Sequence, residues 1–112
     1  MSKLDDKIEL YTKSATELNL GLDSEFIATV TKALGPSIYN KDAESVSCSD
    51  SSELETVKKN FLIKKLGLED SDKLDDAIKA VCQKMGTSNR NKYRALFYAL
   101  LAKEFGKESI YA

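Results

Sequence analysis

Five glycines punctuate the chain, and each one follows a segment whose apolar residues recur at helical spacing. These glycines are Gly21, Gly35, Gly67, Gly86 and Gly106. Glycine is favoured just past the C-terminus of a helix because it adopts the left-handed conformation without a Cβ clash. Four of them follow a turn that contains a lysine, and a cation there suits the negative end of the helix dipole. The pattern predicts an all-α fold, a compact array of about five helices.

The helix bounds follow from the apolar periodicity and the stop signals. The predicted helices are Ser2–Leu18, Asp23 or Ser24 to Leu34, Ser52–Leu66, a helix from Ser71 to Met85, and a C-terminal helix at about 90–105. The first has a narrow apolar stripe and is expected at the periphery. Ser52 and Glu55 predict a capping box for the third. The last helix has no charge between Ala95 and Ala102, so we expect it at the centre of a single domain spanning residues 1–112.

Residues 41–52 are rich in serine and aspartate and lie between the second and third predicted helices. This composition is typical of a loop, with at most one helical turn around Asp42–Val46. A connection of more than about 10 residues is long for a compact helical domain. We therefore expect any mobile element to lie here.

The cysteine content and the absence of apolar runs predict the compartment. Two cysteines, Cys48 and Cys82, do not make a disulfide framework. The N-terminal residues form no apolar signal region, and no run approaches the roughly 18–20 apolar residues that cross a bilayer. We therefore expect a cytoplasmic protein with no membrane contact and with reduced cysteines, Cys48 exposed in its loop and Cys82 a small buried hydrophobe.

The residue types present exclude several kinds of chemistry. The chain has no histidine, which removes the commonest general base and metal ligand, and with it any Cys–His nucleophile. Two cysteines alone make no zinc site, and the acids between residues 69 and 76 lack the glycine and final glutamate of a calcium loop. No glycine-rich phosphate motif occurs. The sequence therefore predicts a non-enzymatic protein with no catalytic residue, no metal site and no cofactor.

One candidate site precedes the last predicted helix. Arg90 and Arg94 are the only arginines, and on a helix their spacing of four places them on one face. Cations at a helix N-terminus oppose the dipole by about 0.3–1 kcal/mol each. Either an internal carboxylate, for which the acids of residues 69–76 are close in sequence, or a bound anion would compensate. The anion site would comprise Ser88, Asn89, Arg90, Asn91, Lys92 and Arg94.

The charge distribution bears on possible partners. Residues 1–56 hold 11 acids and 5 lysines, a net charge of −6, whereas residues 57–112 have a net charge of +5. Either the two halves attract each other within the fold, or a basic face meets an anionic partner. A pI near 5.5 and the absence of a named module argue against nucleic acid.

Small residues on the last helix suggest a helix contact. Ala95, Ala99 and Ala102 lie opposite its large side chains, so a helix of the same chain or of a second copy could approach closely. Ile63 falls on the outer side of the third helix. The leading hypothesis is a protein-interaction module, with a homodimer as one form. The alternative is a small anion- or phosphate-binding protein that uses the face of Arg90 and Arg94.

Three blocks of sequence resemble a known family. They are Gly35–Asn40 (GPSIYN), Asn60–Leu68 (NFLIKKLGL) and Ser88–Ala95 (SNRNKYRA), with Phe97 and Tyr98 after the last. They resemble a family of small bacterial proteins catalogued as a domain of unknown function, and the likeness runs from about the first helix to Tyr111. The resemblance implies a cytoplasmic, all-helical bacterial protein. It implies no catalytic residue, ligand or partner.

Overall fold

The computed structural model describes residues 3–86, Asn89 and residues 92–111. Helical segments account for its regular structure, which confirms the all-α prediction. The helices are α1 (Lys3–Glu17), α2 (Ser24–Leu34), α3 (Lys41–Glu44), α4 (Ser51–Val57), α5 (Asp72–Met85) and α6 (Arg94–Glu104). A π-helical segment, Lys58–Ile63, continues α4, and short 3₁₀ helices cover Gly35–Tyr39 and Glu108–Tyr111. Positive φ angles at all five glycines match their predicted role as helix stops.

Helix α6 lies at the centre of the fold, as its sequence predicts. Seven of its eleven residues are buried. Helices α1, α2, α3 and α5 all pack against it. The small residues Ala95, Ala99 and Ala102 are buried within the chain, together with the larger side chains of the opposite side. Of the two alternatives for these alanines, the contact within one chain is therefore the one observed. Ile63 is half-buried and packs against the core.

The start of α6 differs from the prediction. The helix begins at Arg94 and not near residue 90, because Lys92 and Tyr93 take part in a different set of hydrogen bonds. Tyr93 forms an isolated antiparallel bridge with Ser45, and the Lys92 carbonyl accepts a hydrogen bond from the Val46 N–H at 2.8 Å. A residue whose backbone pairs in this extended way cannot also form a helical turn.

The first half of the segment that was expected to be a loose loop is fixed in the fold. It contains the predicted helical turn as α3, and Val46 is buried in the core at 3% exposure. The predicted capping box of α4 is wrong. Asp50 is the N-cap, since its carboxylate Oδ1 accepts hydrogen bonds from the N–H groups of Ser52 at 3.0 Å and Glu53 at 3.4 Å. The Asp50 carboxylate, two residues earlier, therefore accepts from the Ser52 N–H that the Glu55 side chain was expected to satisfy, and from the Glu53 N–H in place of the Glu55 N–H.

The expectation of reduced cysteines is also wrong. Cys48 and Cys82 form a disulfide, with their Cα atoms 6.1 Å apart. Cys48 is half-buried and not exposed, whereas Cys82 is buried on α5 as predicted. The two residues lie 34 positions apart, and only the packing of the segment after α3 against α5 brings them together. Among the described helices, none is both long and apolar enough to cross a membrane.

The central position of α6 gives a packing prediction. Ala99 is fully buried, so Ala99→Leu adds side-chain atoms where no space remains. We expect it to lower the free energy of unfolding by about 1–3 kcal/mol. The matched control is Ala33→Leu on the exposed side of α2, which should change stability by less than about 0.5 kcal/mol. Urea denaturation followed by circular dichroism measures both; equal losses would contradict the central placement of α6.

Candidate functional site

Arg94, the first residue of α6, has a guanidinium enclosed by three acceptors. Its Nε donates to the Ala43 carbonyl oxygen at 2.7 Å. Its Nη1 donates to the Tyr98 hydroxyl at 2.9 Å, and its Nη2 forms a hydrogen-bonded ion pair with the Glu53 carboxylate. Only 13% of the Arg94 side chain is exposed. One side chain therefore joins α3, α4 and α6.

The electrostatics of Arg94 keep it charged. Burial lowers the pKa of the guanidinium, but the neighbouring Tyr98 and Glu53 outweigh burial and raise that pKa above its ordinary value. The guanidinium carbon also lies 5.5 Å from the Tyr98 ring centre, and that ring stacks on Phe61 with centroids 4.0 Å apart. The Arg94 charge therefore lies near the Tyr98 ring, and that ring contacts Phe61 of the π-helical segment.

Lys92 and Asn89 lie at the C-terminal end of α5. Lys92 is buried at 6% exposure, and its Nζ donates to the Asn89 carbonyl oxygen at 2.5 Å. The Asn89 side-chain amide donates to the carbonyl oxygen of Met85, the last residue of α5, at 2.9 Å. The Asn89 side chain therefore satisfies a carbonyl at the end of α5, where a helix leaves such groups without partners, and Lys92 in turn bonds the Asn89 carbonyl.

The structure describes three of the six residues predicted to bind an anion. Ser88, Arg90 and Asn91 lie outside the described residues. Asn89, Lys92 and Arg94 each direct hydrogen-bond donors at groups of the same chain. Anion binding at this segment stays a prediction.

The carboxylate that compensates Arg94 is not the one that the sequence favoured. Glu53 provides it, whereas two of the acids close in sequence, Asp70 and Asp75, each lie 3.0 Å from the Lys58 ammonium. Sequence separation is a poor guide to this pair, because the fold brings Glu53 of α4 to the guanidinium of Arg94 from 41 positions away.

A second polar cluster lies between α1 and α3. Glu44 Oε2 accepts hydrogen bonds from the Tyr11 hydroxyl at 2.6 Å and from the Lys7 ammonium at 2.5 Å. Tyr11 is fully buried, and its ring centre lies 4.8 Å from that of Tyr93. Burial, together with the hydrogen bond to Glu44, raises the pKa of Tyr11. The sequence showed Tyr11 only as part of an apolar stripe, because its partner lies 33 residues away.

These clusters have the geometry of internal supports. The Tyr11 hydroxyl is buried, so no substrate can reach it. Within the described part of the chain, every fully buried side-chain nitrogen or oxygen has a hydrogen-bond partner. The same residues contain no group of three or more His, Cys, Asp or Glu side chains that could hold a metal ion.

Shallow surface grooves also occur in the described part of the chain, and two of them bring apolar side chains beside charged ones. The first, here called the α1 groove, has a volume of about 310 Å³ and is lined by residues that include Leu10, Glu17, Leu18 and Tyr93. The second, the α5–α6 groove, has a volume of about 260 Å³ and is lined by Ala80, Val81, Lys84, Leu100, Lys103 and Glu104. Asn89 and Tyr93, which belong to the contacts described above, also line the α1 groove, whereas none of those residues lines the α5–α6 groove.

Comparison with known proteins assigns the family. The family model described as "Protein of unknown function (DUF2853)" matches residues 10–109. The chain belongs to this family. The match extends from the middle of α1 through α6, and it confirms the resemblance to a domain of unknown function. A search of curated proteins found no significant match. Membership in DUF2853 brings no ligand or catalytic residue with it, so a functional argument depends on this chain's own geometry.

The contacts of Arg94 predict a large effect of a conservative change. In Arg94→Lys the charge is kept, but a single ammonium cannot reach Ala43, Tyr98 and Glu53 in three directions. We expect the free energy of unfolding to fall by about 2–4 kcal/mol. Urea denaturation measures the loss.

A surface ion pair provides the control for this substitution. Lys59 pairs with Glu55 at 3.4 Å, and both side chains are more than half exposed. Lys59→Ala should therefore cost less than about 0.5 kcal/mol. Comparable losses in both variants would contradict the supporting role of Arg94. Melting with and without phosphate tests the anion prediction separately, since a bound anion raises the melting temperature.

The buried tyrosines predict weaker folding at alkaline pH. The pKa values of Tyr11, Tyr93 and Tyr111 are all raised in the folded protein, with burial as the largest cause. Unfolded tyrosines lose their protons near pH 10, so above that pH the folded state binds more protons than the unfolded state. The free energy of unfolding should therefore decrease as the pH rises beyond about 10.

Tyr11→Phe isolates the contribution of one hydroxyl. It should lower stability by about 1 kcal/mol at neutral pH by removing the hydrogen bond to Glu44. It should also make the alkaline decrease shallower, because one raised pKa is gone. Urea midpoints between neutral pH and pH 11 measure both effects. An identical slope for Tyr11→Phe and the wild type would contradict the raised pKa of Tyr11.

Proposed function

We propose that this DUF2853 protein is a non-enzymatic interaction module of the bacterial cytoplasm that binds a second copy of itself. The three described candidates of the predicted anion site are engaged within the chain: Asn89 with Met85, Lys92 with Asn89, and Arg94 with Glu53. What remains for function is the surface. The observation that carries the proposal is an exposed leucine, Leu10, in the middle of α1.

Leu10 is 40% exposed, one of three large hydrophobic residues with this property. It lines the α1 groove together with the half-buried Leu18 and Tyr93. The exposed acids Glu9 and Glu17 flank it, together with the exposed Lys13. An apolar side chain framed by charges on a regular helix suits a helix that docks in a groove of another protein.

Charge complementarity favours a second copy as the partner. The floor of the α5–α6 groove contains Val81 and Leu100, and Lys84 and Lys103 line its sides. Glu104 also lines the groove, so its lining contains two lysines and one carboxylate, a net charge of +1. This net positive charge and the apolar residues suit the exposed acids beside Leu10.

The positions of the two surfaces are compatible with a contact between copies. Helix α1 packs on α2 and α6, whereas α5 packs on α6 and the π-helical segment. Because the surfaces lie on different elements, α1 of one copy can meet the groove of another. A two-fold dimer would contain this contact twice, once in each direction.

Substitution of Leu10 tests the proposal. We expect the wild type to associate as its concentration rises, and Leu10→Asp to stay monomeric, because an added carboxylate in the apolar contact has no partner. Multi-angle light scattering across a wide concentration range measures the mass. The matched control is Ile110→Asp, at a residue 37% exposed on the surface, which should associate like the wild type.

A charge swap tests the choice of partner surface. Lys84→Glu should weaken self-association, and combining it with Glu9→Lys should restore it, because the attraction is reversed on both sides. A wild type that remains strictly monomeric at high concentration contradicts self-association. Self-association that Leu10→Asp leaves unchanged contradicts the α1 surface.

A further inference from the structure

We propose that Cys48 and Cys82 form a reversible thiol–disulfide site, at which a low-molecular-weight thiol or a dithiol reductant attacks Cys48. This goes beyond the proposed self-association and rests only on the cytoplasmic location included in the proposed function. A disulfide is uncommon in the cytoplasm unless it cycles between its oxidised and reduced forms. The structure supplies three features that such cycling requires: access, reversibility and a local change.

Access is unequal at the two sulfurs. Cys48 is half-buried and lies between the exposed residues Ser47 and Ser49. Cys82 is buried on α5 at 8% exposure. A thiolate must approach the sulfur that it attacks. Attack therefore occurs at Cys48, and the Cys82 sulfur is the leaving group.

The exchange balances with a thiol as the co-reactant. The incoming thiolate forms a bond to the Cys48 sulfur while the bond to the Cys82 sulfur breaks, and the Cys82 thiolate takes up the proton that the incoming thiol released. A second thiolate then attacks the sulfur of the first thiol in the mixed disulfide, and the Cys48 thiolate leaves and takes up the proton that the second thiol released. The two external thiols depart joined as one disulfide. The protein disulfide is reduced to two thiols, and two thiol molecules are oxidised to one disulfide.

Reversibility follows from the contacts that do not involve sulfur. The Val46 N–H bonds the Lys92 carbonyl at 2.8 Å, and the Arg94 Nε bonds the Ala43 carbonyl at 2.7 Å. These contacts hold the chain just before Cys48. On the other side, α5 buries five residues besides Cys82 in the core, and these contacts do not involve the disulfide. After reduction the two sulfurs therefore stay near each other, which favours the bond's return over pairing with another molecule.

The change on reduction is confined to a short stretch. The hydrogen bonds described for residues 47–49 are local: the Ser47 and Ser49 hydroxyls lie 3.3 Å apart, and the Ser47 carbonyl accepts from the Asp50 N–H at 3.2 Å. Among the contacts described for residues 47–49, the disulfide is the one that attaches this stretch to α5. Reduction should thus release residues 47–49 and leave α6 in place.

Redox titration of the folded wild type tests reversibility. The protein is equilibrated in buffers of reduced and oxidised glutathione, quenched with acid, alkylated, and analysed by mass spectrometry. We expect full conversion to two alkylated thiols in reducing buffer and full return on reoxidation, with circular dichroism unchanged. Hydrogen exchange should accelerate at least about tenfold at residues 47–50 and stay unchanged in α6. Reduction only after urea unfolds the protein would overturn the proposal.

Single cysteine variants test the order of attack. With oxidised glutathione, Cys82→Ala should form a mixed disulfide at Cys48 at least about tenfold faster than Cys48→Ala does at Cys82, because of the difference in access. Equal rates, or the reverse order, would overturn attack at Cys48. Circular dichroism checks that both variants are folded; if either is not, competition between the two sulfurs of the wild type, read from the position of the trapped mixed disulfide, decides the order.

Discussion

The buried guanidinium of Arg94 organises the first half of the connection between α2 and α4. It bonds the last turn of α3 through Ala43 and the first turn of α4 through Glu53. Truncating one member of such a pair leaves the other charge buried without compensation, which costs more than an exposed pair contributes. Because α3 is held in this way, Val46 can pair with Lys92, and Cys48 comes within reach of Cys82.

The pairing of charges inside the fold also determines which charges remain on the surface. Sequence alone allowed the acidic first half and the basic second half either to attract each other or to meet a partner, and the structure contains an instance of the first. Glu53, from the acidic half, neutralises Arg94, from the basic half. The remaining charge lies outside, on the acidic face of α1 and along the α5–α6 groove. The exposed Leu10 supports the proposal that these surface charges take part in an interaction between copies of the chain.

The disulfide changes the physical description of the connecting segment. Its first part is fixed by hydrogen bonds and by the buried Val46, whereas residues 47–49 depend on the bond between Cys48 and Cys82. A closed loop of 34 residues restricts the unfolded chain and is worth about 3–4 kcal/mol in the chain-entropy model. A domain of this size with a large apolar core can fold without that contribution, so reduction need not unfold it.

The helices of this protein were determined by local sequence. Apolar periodicity, glycine stops and the uncharged run of Ala95–Ala102 predicted the number of long helices and the central one, because these signals act within a few residues. Tertiary structure decided everything that depends on distant partners. Glu53 lies 41 residues from Arg94, and Glu44 lies 33 residues from Tyr11. The backbone of Val46 stops α6 from starting earlier. No local pattern encodes such pairs, since their energy exists only once packing has excluded water from both members.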